Sequence, residues 1–101
     1  MRTLLLEPVQ HGSKTLSPVQ VESGKRIFLS ATCLGEGRFT LDLELLEVED
    51  ESLGLDFDCD RDRAVPNFLD SRVHSTSKAV PKVITYGDVQ WSLRIEHDLP
   101  E

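Results

Sequence analysis

Four aspartates fall at alternate positions: Asp56, Asp58, Asp60 and Asp62. Carboxylates at this spacing open the loops that bind calcium, where positions one, three and five offer oxygens to a hard cation. The match then fails. The position that needs glycine for the sharp turn is Arg61, and the position that needs a bidentate glutamate is Asn67. Leu55, Phe57 and Cys59 fill the places between the acids. That alternation reads as a β-strand with Asp56, Asp58 and Asp60 on its wet face. Like charges in a row repel, so basic neighbours such as Arg94 or Lys25 are expected opposite them.

The remaining chemistry-bearing residues form no catalytic pattern. His11, His74 and His97 lie in polar segments, and no nucleophile, base and orienting acid share a motif. No phosphate-cradling loop, H-E-x-x-H or G-x-S-x-G occurs. Cys33 and Cys59 have no CxxC or CxxH neighbour to suggest a metal. Both fall on inward faces, and nothing in the chain points to an oxidising compartment. Two buried, reduced thiols acting as small hydrophobes are therefore expected, with a single disulfide as the alternative. Trp91, between Val89 and Leu93, reads as core. Phe28 and Tyr86 fall on the faces opposite the main apolar set and are candidate partner contacts. No cofactor and no catalytic residue is predicted.

The chain has 101 residues and a formal charge of −7, one domain by size. From Glu36 to Asp62 there are eleven acids and two bases, a net of −9. Such a middle repels phosphate backbones, so direct nucleic-acid binding is not expected. No run approaches the roughly 20 apolar residues that span a bilayer, so no membrane partner is expected. Leu4 to Leu6 is too short an apolar run for a signal peptide, and Glu7 and Pro8 end it. The expected location is a cytoplasm, or a particle assembled there.

The elements that must position these residues are strands. In Arg26 to Cys33, apolar Ile27, Leu29, Ala31 and Cys33 alternate with Arg26, Phe28, Ser30 and Thr32. Phe39, Leu41, Leu43 and Leu45 share a face opposite Thr40, Asp42 and Glu44. The link between them, Leu34-Gly35-Glu36-Gly37-Arg38, predicts a hairpin reversal. After Leu45 the apolar count slips by one, which predicts a bulge. Other strands are predicted over Arg2–Glu7, stopped by Pro8, then Pro18–Glu22, Leu53–Cys59, Pro81–Tyr86 and Val89–Glu96, with Gly87-Asp88 a tight turn and His97–Glu101 a frayed tail. Phe68–Val73 fits a short helix. About seven short strands separated by turn residues predict an all-β, single antiparallel β-sandwich.

The stretch from Ser17 through Val19, Val21, Gly24-Lys25-Arg26, Leu29 and Ala31 to Leu34-Gly35-x-Gly37 resembles the early strands of immunoglobulin-like modules. Ile84-Thr85-Tyr86-Gly87-Asp88-Val89-x-Trp91-x-Leu93-Arg94 looks like their last hairpin. Such small modules without catalytic motifs are similar to accessory proteins that decorate bacteriophage virions. The chain departs from antibody-type domains in that Trp91 follows both cysteines where it should lie between them.

The resemblance implies a non-enzymatic structural or protein-binding module, acting through strand edges or loops as a homo-oligomer; the alternation of the strands makes Phe28, Tyr86, Asp56, Asp58 and Asp60 its partner-binding candidates. The acidic middle offers an alternative: an inhibitor that imitates nucleic-acid charge to block a basic cleft.

Overall fold

The structure, a computed structural model, describes residues 2–48 and 52–98. Strand alternation dominates it: β1 Arg2–His11, β2 Lys14–Thr15, β3 Val19–Val21, β4 Arg26–Leu45, β5 Ser52–Asp58, β6 Val65–Arg72 and β7 Ser77–His97. All seven join one antiparallel sheet, and the described residues contain no helix. No helix long and apolar enough to cross a membrane is therefore among them. The all-β antiparallel class expected from the alternation holds.

The sheet is built on two long strands. β4 has 20 residues and β7 has 21, and they pair without a break from Ile27↔His97 to Leu45↔Ala79. β1, β2 and β3 follow one another along the far side of β7. β5 and β6 follow one another along the far side of β4. Four strand paths thus run nearly the whole length of the sheet.

Such a sheet cannot be flat. Twenty extended residues would reach about 66 Å, and the longest dimension of the molecule is 42 Å. The bend lies at Gly35, Gly37 and Gly87, where Gly37 pairs directly with Gly87. At each of these glycines a Cβ would overlap a backbone oxygen of the facing strand: Asp88 for Gly35, Tyr86 for Gly37, Glu36 for Gly87. Only chains without side chains at this point can approach so closely.

Two expected turns are thereby corrected. The glycines of 35–37 fold one strand over itself and do not reverse it, and Gly87-Asp88 lies inside β7.

Because the side-chain period is two and the strand is continuous, odd-numbered residues face inward on both sides of the bend. Ile27, Leu29, Ala31 and Cys33 meet Phe39, Leu41, Leu43 and Leu45 in one buried cluster, with Val83, Trp91, Leu93 and Ile95 from β7. Phe39 of one half touches Trp91 of the other, ring centroids 5.7 Å apart. Each large apolar side chain so buried stabilises the fold by about 1.5–3 kcal/mol.

Trp91 also ties down the chain between β1 and β2. Its Nε1–H donates to the Gly12 carbonyl at 2.8 Å. Trp91→Phe is expected to cost about 1–3 kcal/mol, since the carbonyl loses its partner and a void opens. Urea unfolding measures the loss, and hydrogen exchange should quicken around Gly12.

Four further expectations are corrected. The span predicted as a short helix belongs to β6 through Arg72, where Val65, Asn67, Leu69 and Ser71 alternate with exposed neighbours, so period two wins over the helical reading. Pro8 does not stop β1. The strand continues to His11 across a register shift between Glu7 and Gln10, where an edge strand tolerates a missing N–H.

No bulge follows Leu45, since β4 ends there and Leu46 is exposed. His97 is no tail residue. It is fully buried, accepts the Glu22 N–H on Nε2 at 3.1 Å, and holds Nδ1 2.7 Å from the Asp98 carbonyl. A carbonyl only accepts, so the ring proton sits on Nδ1.

The cysteines are also corrected: Cys33 and Cys59 form a disulfide, with Cα atoms 5.4 Å apart. Cys33 lies inward in β4 just before the bend. Cys59 follows β5, and its N–H donates to the Gly37 carbonyl at 2.9 Å. The bond pins the crossing from β5 to β6 against the bend.

Candidate functional site

The bend divides the outward surface into two faces, made by even-numbered residues of β4, β5, β6 and β7, while the register shifts in β1 bring Val9 outward as well. On the β5 side, register stacks Asp58, Arg38 and Tyr86 in one row across the sheet. The next row is Asp56, Thr40 and Ile84, and the next Gly54, Asp42 and Lys82.

Arg38 is the basic neighbour that the aspartates require, in place of Arg94 or Lys25. Its Nε donates to Asp56 at 2.7 Å and its Nη1 to Asp58 at 2.9 Å. The Thr40 hydroxyl donates to the same Asp56 oxygen at 3.1 Å. Lys82 pairs with Glu44. Two cations thus sit among four acids, Asp42, Glu44, Asp56 and Asp58. Asp60 does not belong to the row. Its carboxylate caps the Asp62 N–H at 2.8 Å, and its carbonyl accepts the Gly35 N–H.

The hydrogen bond from Arg38 holds the Asp56 carboxyl below the usual carboxylate range, helped by the Thr40 hydroxyl and opposed by partial desolvation. The hydrogen bond and charge of Asp56, followed by those of Asp58, raise Arg38. A folded-state value below the unfolded one means that the pair contributes above the ordinary aspartate range. The contribution fades as pH falls through the lowered value. Arg38→Met is expected to return the Asp56 midpoint toward that of a free aspartate, read by carboxyl carbon shifts in an NMR titration.

The face on the β6 side has a different character. Its central row is Leu6, Arg94, Ser30 and Phe68. Ser30, Thr32 and Ser92 form a floor of small hydroxyl residues beside Arg94. Leu6 and Val9 rise on the β1 side at 60% and 69% exposure, and Phe68 on the β6 side at 65%. Phe28 stacks on Phe68, with centroids 5.5 Å apart and planes at 23°.

The five candidates therefore separate. Asp56, Asp58 and Tyr86 share one face, Phe28 lies on the other, and Asp60 serves the chain itself. Sequence reasoning missed Phe68, Leu6 and Val9. Phe68 carried a usable signal, since a large apolar residue stands at an even position in a strand whose odd positions face inward.

A scan against protein-family models finds no match for this chain, and a search of curated proteins finds none either. The chemistry must therefore be read from the surfaces. Among the described residues, no three histidine, cysteine, aspartate or glutamate side chains are grouped to hold a metal. The depression on the β5 side is shallow and lies beside Gly54, between Thr40, Asp42, Asp56 and Ile84.

Proposed function

We propose that the protein is a non-enzymatic protein-binding module, working as an accessory or structural part of a larger assembly such as a phage particle. The observation that carries this reading is the Phe28–Phe68 stack. The inward face already closes a core around Trp91 and Phe39, yet Phe68, Leu6 and Val9 are spent on solvent. Grouped exposed apolar side chains with a polar floor mark surfaces that partners cover. Self-association as a dimer or trimer belongs to the same reading.

The alternative of an acidic charge mimic finds less support. Arg38 and Lys82 sit within the acidic face and neutralise part of it.

Capture from the native source, with wild type and Phe68→Asp side by side, tests the proposal. The wild type should retain a protein partner at 0.5 M salt and the variant should lose it. Phe68 is exposed, so the fold should survive the change. A partner that ignores Phe68→Asp, dissociates steeply with salt and is displaced from this protein by nucleic acid would support the charge mimic, because exposed charges are screened and both ligands would fill one basic cleft. Sedimentation of the purified chain tests self-association separately.

A further inference from the structure

The sheet has open borders of unequal quality. The border along β7 is interrupted: β1 carries register shifts at Leu4 and around Pro8, and β2 and β3 are two and three residues long. Along β6, Pro66 has no N–H to offer, and the Phe68 N–H is already taken by the Asn67 side chain at 2.8 Å.

β5 is different. It runs from Ser52 to Asp58 in unbroken register with β4 and contains no proline. The bond from Cys59 N–H to the Gly37 carbonyl turns the odd-numbered backbone groups toward β4. By alternation, Gly54, Asp56 and Asp58 point their N–H and C=O groups outward. No strand among the described residues pairs with them.

We infer that the β5 edge accepts an extended segment of another protein as an added strand, one that alternates basic with apolar residues. This rests on the reading of the protein as a binding module and names the partner's chemistry. Strand addition takes affinity from main-chain hydrogen bonds and specificity from alternate side chains. The inward side chains of the added strand lie against Leu53, Leu55 and Phe57, of which Leu53 is only half-buried. Its outward side chains lie beside Asp56 and Asp58.

Gly54 refines the match. Without a side chain it leaves the depression between Asp42 and Asp56. Among the described residues no ion pair within 4.0 Å holds Asp42, which acts on Lys82 only at longer range. A lysine or arginine opposite Gly54 lays its stem across that gap and brings its charge to Asp42. The acids find no partner in a second copy of this edge: paired antiparallel in full overlap, Asp56 of one copy would face Gly54 of the other and Asp58 would face Ser52, so no base would meet them.

The test is selection of displayed random nonapeptides on the intact, disulfide-bonded protein, followed by NMR mapping of the enriched sequence. The expected winners carry lysine or arginine at alternate positions with β-branched or aromatic residues between. They slow exchange of the Gly54, Asp56 and Asp58 amides at least tenfold. Methylating alternate peptide nitrogens, which removes main-chain donors, should weaken binding at least tenfold, as should Asp56→Asn with Asp58→Asn. Failure to enrich any peptide, winners without alternating bases, or protection that leaves the β5 amides unchanged would each overturn the inference. Winners that map onto Phe28 and Phe68 would overturn it while leaving the binding-module reading intact.

Discussion

Gly37→Ala is expected to remove a large share of the protein's folding stability. A Cβ there would overlap the Tyr86 carbonyl oxygen and come within 2.9 Å of Val89 Cγ1. The obstacle is backbone, held in the β4–β7 ladder on both sides, so it cannot swing away as a side chain would. Relief requires the two strands to part at the bend, which breaks ladder hydrogen bonds and separates Phe39 from Trp91. A cost of about 4 kcal/mol or more follows, at the upper end for single substitutions. A domain of this size has only about 5–15 kcal/mol in total.

Gly87→Ala should behave alike. It adds a positive φ of 83° to a clash with the Glu36 carbonyl. Gly24→Ala is the control. Its φ is 80°, but nothing lies within 4 Å of a Cβ, so only the backbone preference of about 1 kcal/mol is lost. Urea midpoints for the three variants decide the matter. Equal, small losses at Gly37 and Gly24 would show that the strands do not approach at the bend.

Loss of the disulfide has the second-largest expected effect. Cys33 and Cys59 are 26 residues apart, and closing a loop of that length restricts the unfolded chain by about 3.5 kcal/mol at 25 °C. The folded state also relies on it locally. Between β5 and β6 the chain is otherwise held to β4 by the Cys59–Gly37 and Asp60–Gly35 backbone bonds. Reduction, or Cys33→Ala with Cys59→Ala, should lower the thermal midpoint by roughly 15 °C or more. Amide exchange should rise first in β5 and β6. An unchanged midpoint under reductant would mean that the bond contributes nothing in solution.

The inward rows were legible because alternation is a strong local signal. Ile27 to Cys33, Phe39 to Leu45 and Val89 to Ile95 all face the core as their spacing demands. The connections between those rows were not legible by the same rule. A Gly-x-Gly link serves a reversal and a close crossing of two strands equally well, since both need the side chain gone.

One clue did exist. Cys33, Gly35, Gly37 and Phe39 keep one parity, as do Val83, Thr85, Gly87 and Val89, and an uninterrupted strand must keep parity where a turn need not. The disulfide was illegible for a different reason. Whether two inward thiols meet depends on how the sheet folds, and sequence separation carries no information on that. For the acids, alternation correctly placed Asp56 and Asp58 on a wet face. Their partner Arg38 became visible only once β4 was seen to run unbroken past the glycines, opposite β5.

The core, the disulfide and both outer faces depend on β4 and β7 pairing from end to end around a bend at Gly37 and Gly87. Cross-strand NOEs in the intact protein test this most directly. The account predicts contacts between Leu29 and Ile95, between Gly37 and Gly87, and between Leu43 and Pro81, all in the same molecule. A set that instead placed Leu29 opposite a residue of 39–45, with no Gly37–Gly87 contact, would mean a hairpin reversal at the glycines and would contradict it.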